Sequence, residues 1–468
     1  MNSLKKEIKK LDSIILCLFN LIFIVACIYF NIPVYLGFFM GIIFTLLLLK
    51  NKNYNIKEVI KIGFNGVKEC KIAIFIVFLM GANISSWISG GVVPSMIYYG
   101  FNFISDFNFL ITAFLLCALV SVFMGTAVGT FSTIGIALIG IGRGIGIPLP
   151  ILVGTLISAA YLADRISPIS GLVNLTLDVN KIDFDEFLKS SLKTISLGLL
   201  ISLVFYYFLG NKYMSGIDQN VISTYQKNLS DSFYISKLFL AFPLVMMVLA
   251  FKKVNVFYNM SVGVILGALA GLFYQDMNVL DVINSLIFGY ESNTNIMELD
   301  SILKGGGAFN MKDVVLLNIA AIFLNSILQE LDLLMPLLED FKTKIRTTKS
   351  LYFKTGLLSF ILTMVTCNQV VSIVFVTKLL KDKFDEFNIN KVELSRTIAD
   401  SGTLIAPVFP WNVNAILIGL IVNLNAFEYA PYAIYCYIAP IIAILYGFIF
   451  RNKDENKIIT NNFNKVKA

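Results

Sequence analysis

Histidine is missing from all 468 residues of this chain. That removes every imidazole-based device at once: a histidine proton relay, a His-Glu-x-x-His zinc site, a serine–histidine hydrolase. Charge is also scarce. Only 14% of residues are Asp, Glu, Lys or Arg, against about a quarter in a soluble globular protein. Six cysteines stand at 17, 27, 70, 117, 367 and 436, with no Cys-x-x-Cys pair and no dense cluster. They read as small apolar packing residues, so neither a disulfide framework nor a metal site is expected. Tryptophan occurs only at 87 and 411, where interface anchoring is the plain reading. No Gly-x4-Gly-Lys-Ser/Thr phosphate loop occurs, which argues against direct use of ATP. No cofactor is expected.

What fills the chain instead is hydrocarbon: 57% of residues are hydrophobic and the mean hydropathy is +0.79. The apolar runs have helix length, not the roughly 10-residue alternation of barrel strands. The composition therefore predicts an all-α, polytopic integral membrane protein with about 11 to 14 transmembrane helices. The runs at 131–147, 149–163, 356–366 and 369–380 are too short for straight crossings and predict broken or re-entrant helices. The formal charge of +7 is spread over loops without interleaved aromatics, so nucleic acid is not an expected partner. Lys5, Lys6, Lys9 and Lys10 precede the first apolar run, and Arg451, Lys453 and Lys457 follow the last. The 274–311 connection carries Asp276, Asp281, Glu291, Glu298 and Asp300 against Lys304 alone. This asymmetry predicts both termini on the cytoplasmic side of the cell membrane and 274–311 outside.

Polar interruptions divide the apolar body into two matching parts. The expected organisation is a cytoplasmic tail at 1–12, a first transmembrane half at 13–210, a connection at 211–233, a second half at 234–450 and a cytoplasmic tail at 451–468. The first half is broken at 125–135 and 163–174, the second at 366–369 and 396–414. Gly154-Thr155-Leu156-Ile157 and Gly402-Thr403-Leu404-Ile405, with the pairs Ala163-Asp164 and Ala399-Asp400, suggest a duplicated unit. Paired breaks of this kind point to the binding site of a secondary transporter built from related, inverted halves.

Ionisable groups inside such breaks are candidates for function, because a charge stranded in hydrocarbon is costly. Asp164 and Asp400 are the candidate cation- or proton-binding residues. Asp164 beside Arg165 equally suits a paired helix end, and Asp400 a helix cap. Thr126, Thr130, Thr133, Ser167, Asn174, Asn368, Gln369, Thr403 and Asn412 are candidate lining residues, since hydroxyl and amide oxygens coordinate cations and bind organic solutes. Each could also simply tie helices together.

At these same positions the sequence resembles the NhaC-type Na+/H+ antiporter family. The likeness lies in Ile88–Pro94, Ile97–Gly100, Gly125-Thr126, Gly129-Thr130, Thr133–Gly135, Gly140–Gly142 and Gly146–Pro150. It continues through Tyr161, Asp164, Ser167-Pro168, Ser170 and Asn174-Leu175, then Leu394–Thr397, Asp400–Thr403, Pro407, Pro410–Asn412, Tyr429 and Pro431–Ala433. The resemblance implies an inner-membrane secondary antiporter exchanging Na+ for H+ without a cofactor, with membrane lipid as its surroundings and a second copy of the chain as a candidate partner. The pattern departs where the family usually carries Asp and this chain has Gly171 or Asn368, and where Val128 replaces Trp. A family Glu falls on Gln329, with Glu330 next to it. The loss of carboxylates keeps an alternative open: Na+- or H+-coupled antiport of a small organic acid or amino acid, its carboxylate held by Arg143, Arg165 or a helix N-terminus.

Overall fold

The computed structural model describes residues 8–449 apart from 31, 102–107, 215–218, 253, 295, 297–298 and 301–302. The expected tail at 451–468 and most of that at 1–12 lie outside the described residues. The chain is helical almost throughout; among the described residues the β structure is one antiparallel pairing of Tyr290–Glu291 with Lys304–Gly305. Among the described residues, nine helical stretches are long and apolar enough to cross a membrane, and eleven if two bent pairs each count as one span. Large side chains such as Leu18, Ile22, Leu119, Phe208 and Phe273 point outward, which water would penalise and lipid does not.

Five elements recur in the same order, four of them with equal lengths. Lys71–Ser89 and Lys312–Glu330 have 19 residues each; Val92–Gly100 and Met335–Thr343 have 9 each. Phe109–Met124 and Thr348–Thr366 follow, then two 18-residue stretches, Ala127–Gly144 and Gln369–Glu386. Leu149–Asn180 and Lys391–Val422, 32 residues each and both broken inside, close the units.

The backbone repeats as strictly as the lengths do. Left-handed residues occur at Gly125 and Cys367, at Gly146 and Asn388, and at Lys181 and Asn423, each pair 242 positions apart, with Gly91 and Asp332 separated by 241. These residues stop helices by turning the backbone where orphan carbonyls can be satisfied. After the first of them the chain restarts on a polar cap: Thr126 Oγ1 accepts from Gly129 N at 3.4 Å, and Asn368 Oδ1 from Val370 N at 2.8 Å. An αL residue followed by a capping residue is thus the local cause of both helix breaks.

This register corrects the sequence-based pairing of the acids. Counting 242 residues back from Asp400 reaches Ser158, and counting forward from Asp164 reaches Ala406. Asp164 and Asp400 are therefore not equivalent positions, and the two Gly-Thr-Leu-Ile stretches are out of register as well.

The units interlock. Asn180 Nδ2 of the first broken span reaches Thr377 Oγ1 of the second unit at 3.3 Å. Reciprocally, Val128 of the first unit shares a buried cluster with Leu417 of the second. Trp87 is not an interface anchor: it is fully buried, and its Nε1 donates to Gly263 O at 3.0 Å. Trp411 Nε1 donates to Met364 O at 2.8 Å.

Candidate functional site

The first broken span unwinds after Ala160, forms the single turn Ala163–Ile166 and resumes at Gly171–Asn180. Ser167-Pro168 causes the gap, since Pro168 offers no amide and disfavours helix at the preceding residue. The second broken span runs from Lys391–Ile398 into a π-helical turn, Ala399–Thr403, and then a 3-10 turn, Ala406–Val408, which contains Pro407. π turns displace the regular carbonyl-to-amide ladder and gather at functional sites.

The two breaks meet through charge. Arg165 Nη2 lies 2.6 Å from Asp400 Oδ1, both side chains being completely buried. Thr194 Oγ1, from the long helix Phe184–Met214, donates to Asp400 Oδ2 at 2.9 Å. The Arg165 guanidinium sits 5.3 Å from the Phe187 ring centre, while its Nε and Nη1 have no hydrogen-bond partner among the described residues. Arg165 therefore pairs across the units and not with its sequence neighbour Asp164. Asp164 is half-buried and accepts instead from Ser170 Oγ at 3.1 Å.

A second ion pair, with a buried arginine and a partly exposed glutamate, lies one turn away. Arg396 Nη2 contacts Glu393 Oε2 at 2.7 Å, and its guanidinium stacks 3.8 Å from the centre of the Tyr446 ring. Ser190 Oγ and Tyr352 OH donate to Glu393 at 2.8 and 3.1 Å. Each of the two buried arginines is thus matched by a carboxylate, a condition for keeping charge in the interior at all.

The lining candidates fall into groups. Gln369 Nε2 donates to Thr403 O at 2.7 Å, and Asn414 Nδ2 donates to Gln369 Oε1 at 3.0 Å. Asn412 Oδ1 accepts from Asn414 N at 3.0 Å, so Gln369, Thr403 and Asn412 form one amide-rich patch beside the capping Asn368. Thr126, Thr130 and Thr133 occupy successive turns of the first unit, with Thr130 Oγ1 bonded to Thr126 O at 2.9 Å and Thr133 Oγ1 to Gly129 O at 3.0 Å. No hydrogen bond joins that group to the amide patch among the described residues. Ser167 is buried in the first break. Asn174 is exposed on Gly171–Asn180 and donates to Pro168 O at 3.2 Å. Glu330 is exposed too, and Gln329 beside it is half-buried.

Sequence reasoning missed Thr194, Glu393 and Ser190. A signal existed for two of them: Ser190, Thr194, Gly198, Ser202 and Tyr206 recur every four residues through an apolar helix. Such a stripe marks a buried polar face.

Residues 177–449 match the family model described as the Na+/H+ antiporter family, and residues 7–209 match one described as the C4-dicarboxylate anaerobic carrier. The chain is 29% identical over 438 residues to the malate-2H(+)/Na(+)-lactate antiporter of Bacillus subtilis, covering 93% of both chains. It is 28% identical to the Na(+)/H(+) antiporter NhaC of the same organism, over 93% of this chain and 96% of that one. To the arginine/ornithine antiporter ArcD of Halobacterium salinarum it is 26% identical, over 80% and 78%. The names agree on antiport and differ on cargo. With the first match spanning more than half its length, this multi-pass membrane protein belongs to the Na+/H+ antiporter family.

Proposed function

We propose that the protein exchanges Na+, or another monovalent cation, for H+ across the cytoplasmic membrane by alternating access between two inverted units, with both termini inside. Asp164 and Asp400 carry the exchangeable charge. Thr126, Thr130, Thr133, Ser167, Asn174, Asn368, Gln369, Thr403 and Asn412 line the route or the site.

The observation that supports this reading most is the Arg165–Asp400 pair, which sets an ionisable group of each unit against the other at the two helix breaks. A carboxylate there holds a proton, a cation or the guanidinium, and changing occupant changes how the units are tied. Asp164, one residue from Arg165 and only lightly bonded, is free to take the second charge. Competition of two ions for the same carboxylates is sufficient for obligatory exchange.

The test is Na+-driven pH change in everted vesicles. It is expected to vanish in Asp164→Asn and in Asp400→Asn; a signal surviving both variants rules out the assignment.

A second reading is Na+- or H+-coupled antiport of a small organic acid or amino acid. It is supported by the unpartnered Nε and Nη1 of Arg165, which suit a bidentate carboxylate, and by the relatives named for malate, lactate and arginine exchange. Thermal stabilisation by such solutes with none by Na+ alone would favour it.

A further inference from the structure

The π turn Ala399–Thr403 has two sides. Asp400 faces Thr194 and Arg165, whereas Ser401 and Gly402 face the helices Thr348–Thr366 and Gln369–Glu386. A methyl group placed on Gly402 would lie 2.5 Å from Ser372 Oγ, 3.2 Å from Thr363 Oγ1 and 3.2 Å from Ser359 Cβ. One placed on Gly356 would lie 3.0 Å from Ser401 Oγ. Several hydroxyl-bearing side chains therefore close around a cradle that exists because residue 402 has no side chain.

These hydroxyls are not occupied by the protein. Ser359, Thr363 and Ser401 are completely buried, and their hydroxyl oxygens have no hydrogen-bond partner among the described residues. Ser372 Oγ donates to Ser359 O at 3.1 Å, leaving its lone pairs free. Elsewhere on the same helix the usual remedy is taken: Thr355 and Thr366 each donate to the carbonyl four residues back, both at 2.7 Å. On the helix Thr348–Thr366 the buried hydroxyls left unbonded among the described residues are those of Ser359 and Thr363, the two residues set against Gly402.

The repeat supplies an internal comparison. The positions 242 residues earlier are Cys117, Ser121, Thr130, Ala159 and Ala160. There Ser121 Oγ donates to Ala118 O at 2.8 Å, Thr130 Oγ1 to Thr126 O at 2.9 Å, and Cys117 Sγ lies 3.6 Å from Leu156 O. Alanine, with its methyl group, stands where Gly402 does. The same crossing is built once with its polar groups satisfied and once with open oxygens.

We infer that the cradle at Gly402, lined by Thr363, Ser372, Ser401 and Ser359, is a binding site for a small monovalent cation. Neutral hydroxyl oxygens, helped by carbonyls that the π turn releases from the helical ladder, are the ligands that hard cations take. The absence of a carboxylate among them suits one charge better than two. This deepens the cation-exchange reading and rests on it: the hydroxyl side of the π turn holds the cation next to Asp400, where it competes with the proton for the charge of the acids.

The test is Na+ titration of the purified full-length protein, by radioactive Na+ binding and by the shift of its thermal unfolding midpoint, with choline replacing Na+ at constant ionic strength. Gly402→Ala, at a backbone that is not in the left-handed region, is expected to raise the half-saturating Na+ concentration about tenfold or more. Thr363→Val and Ser372→Ala, which leave the cradle's volume nearly unchanged, are expected to do the same, and Ala160→Gly to leave it unaltered. Na+ binding that is absent from the wild-type protein, or unchanged in Gly402→Ala and Thr363→Val, overturns the inference. If binding is instead lost only in Asp164→Asn or Asp400→Asn, the site falls and the exchange reading stands. If binding is lost in Gly402→Ala while Na+-driven proton flux survives in both acid variants, the site stands and the role given to the acids falls.

Discussion

Arg165 and Asp400 are completely buried, and each is the other's compensation. Removing one partner of such a pair strands the other, at a cost of about 3–5 kcal/mol, whereas removing both can be nearly neutral. Arg165→Gln alone is therefore expected to lower the thermal unfolding midpoint of the detergent-solubilised protein sharply. Arg165→Gln combined with Asp400→Asn is expected to recover at least half of the loss. A double variant no better than the single would mean that the pair contributes nothing through its charges. Asp164 should behave differently: it is half-buried and bonded only to Ser170, so Asp164→Asn is expected to abolish exchange with little change in the midpoint. These two acids stood out in the sequence because carboxylates inside apolar runs are rare. Their partners did not, since a serine or threonine within a span is common and Thr194 gains meaning only once Asp400 is placed against it.

At the scale of the element, the helix breaks are made by two residues each, one left-handed and one capping. Gly125→Ala would put a Cβ 2.4 Å from Ile169 Cγ1 at a φ of +67°, and the left-handed backbone alone costs a non-glycine residue roughly 1–2 kcal/mol. Cys367 already bears that cost at a φ of 56°, so Cys367→Gly is expected to be tolerated where Gly125→Ala is destabilising. Asn368→Ala should cost about 1 kcal/mol through the lost cap. Asn368→Asp, which keeps an acceptor for Val370 N, should leave the fold intact; unfolding midpoints of the four variants check the set. The sequence displayed these breaks as glycine, threonine and amide clusters between short apolar runs, which located them well. It did not display their register, because the acid pairs and the Gly-Thr-Leu-Ile stretches offered a more conspicuous but false alignment. Left-handed residues at Asn388, Lys181 and Asn423 carry the true one, and side-chain chemistry does not announce backbone conformation.

For the whole molecule, composition alone settled a helical membrane protein, since lipid admits few other ways to satisfy so long an apolar backbone. The interlocking of the units could not be read there. Val128 and Leu417, both plain aliphatic residues, join the capped helix of the first unit to the second half of the other unit's broken span, and Asn180 with Thr377 makes the reciprocal contact. Each broken span is thus held on one side by the opposite unit. Alternating access between the units then requires these crossings to slide or separate, because packed interfaces switch between discrete arrangements instead of stretching. Joining Val128→Cys to Leu417→Cys with a short bismaleimide, in a chain freed of its other cysteines, is expected to reduce exchange in proteoliposomes by at least about tenfold, a block of the kind expected when a transport-gating motion is prevented. The same double variant without the linker should retain exchange, as should protein bearing the reagent at either cysteine alone. Undiminished flux through the linked protein would place the moving boundary elsewhere, within a unit and not between the two.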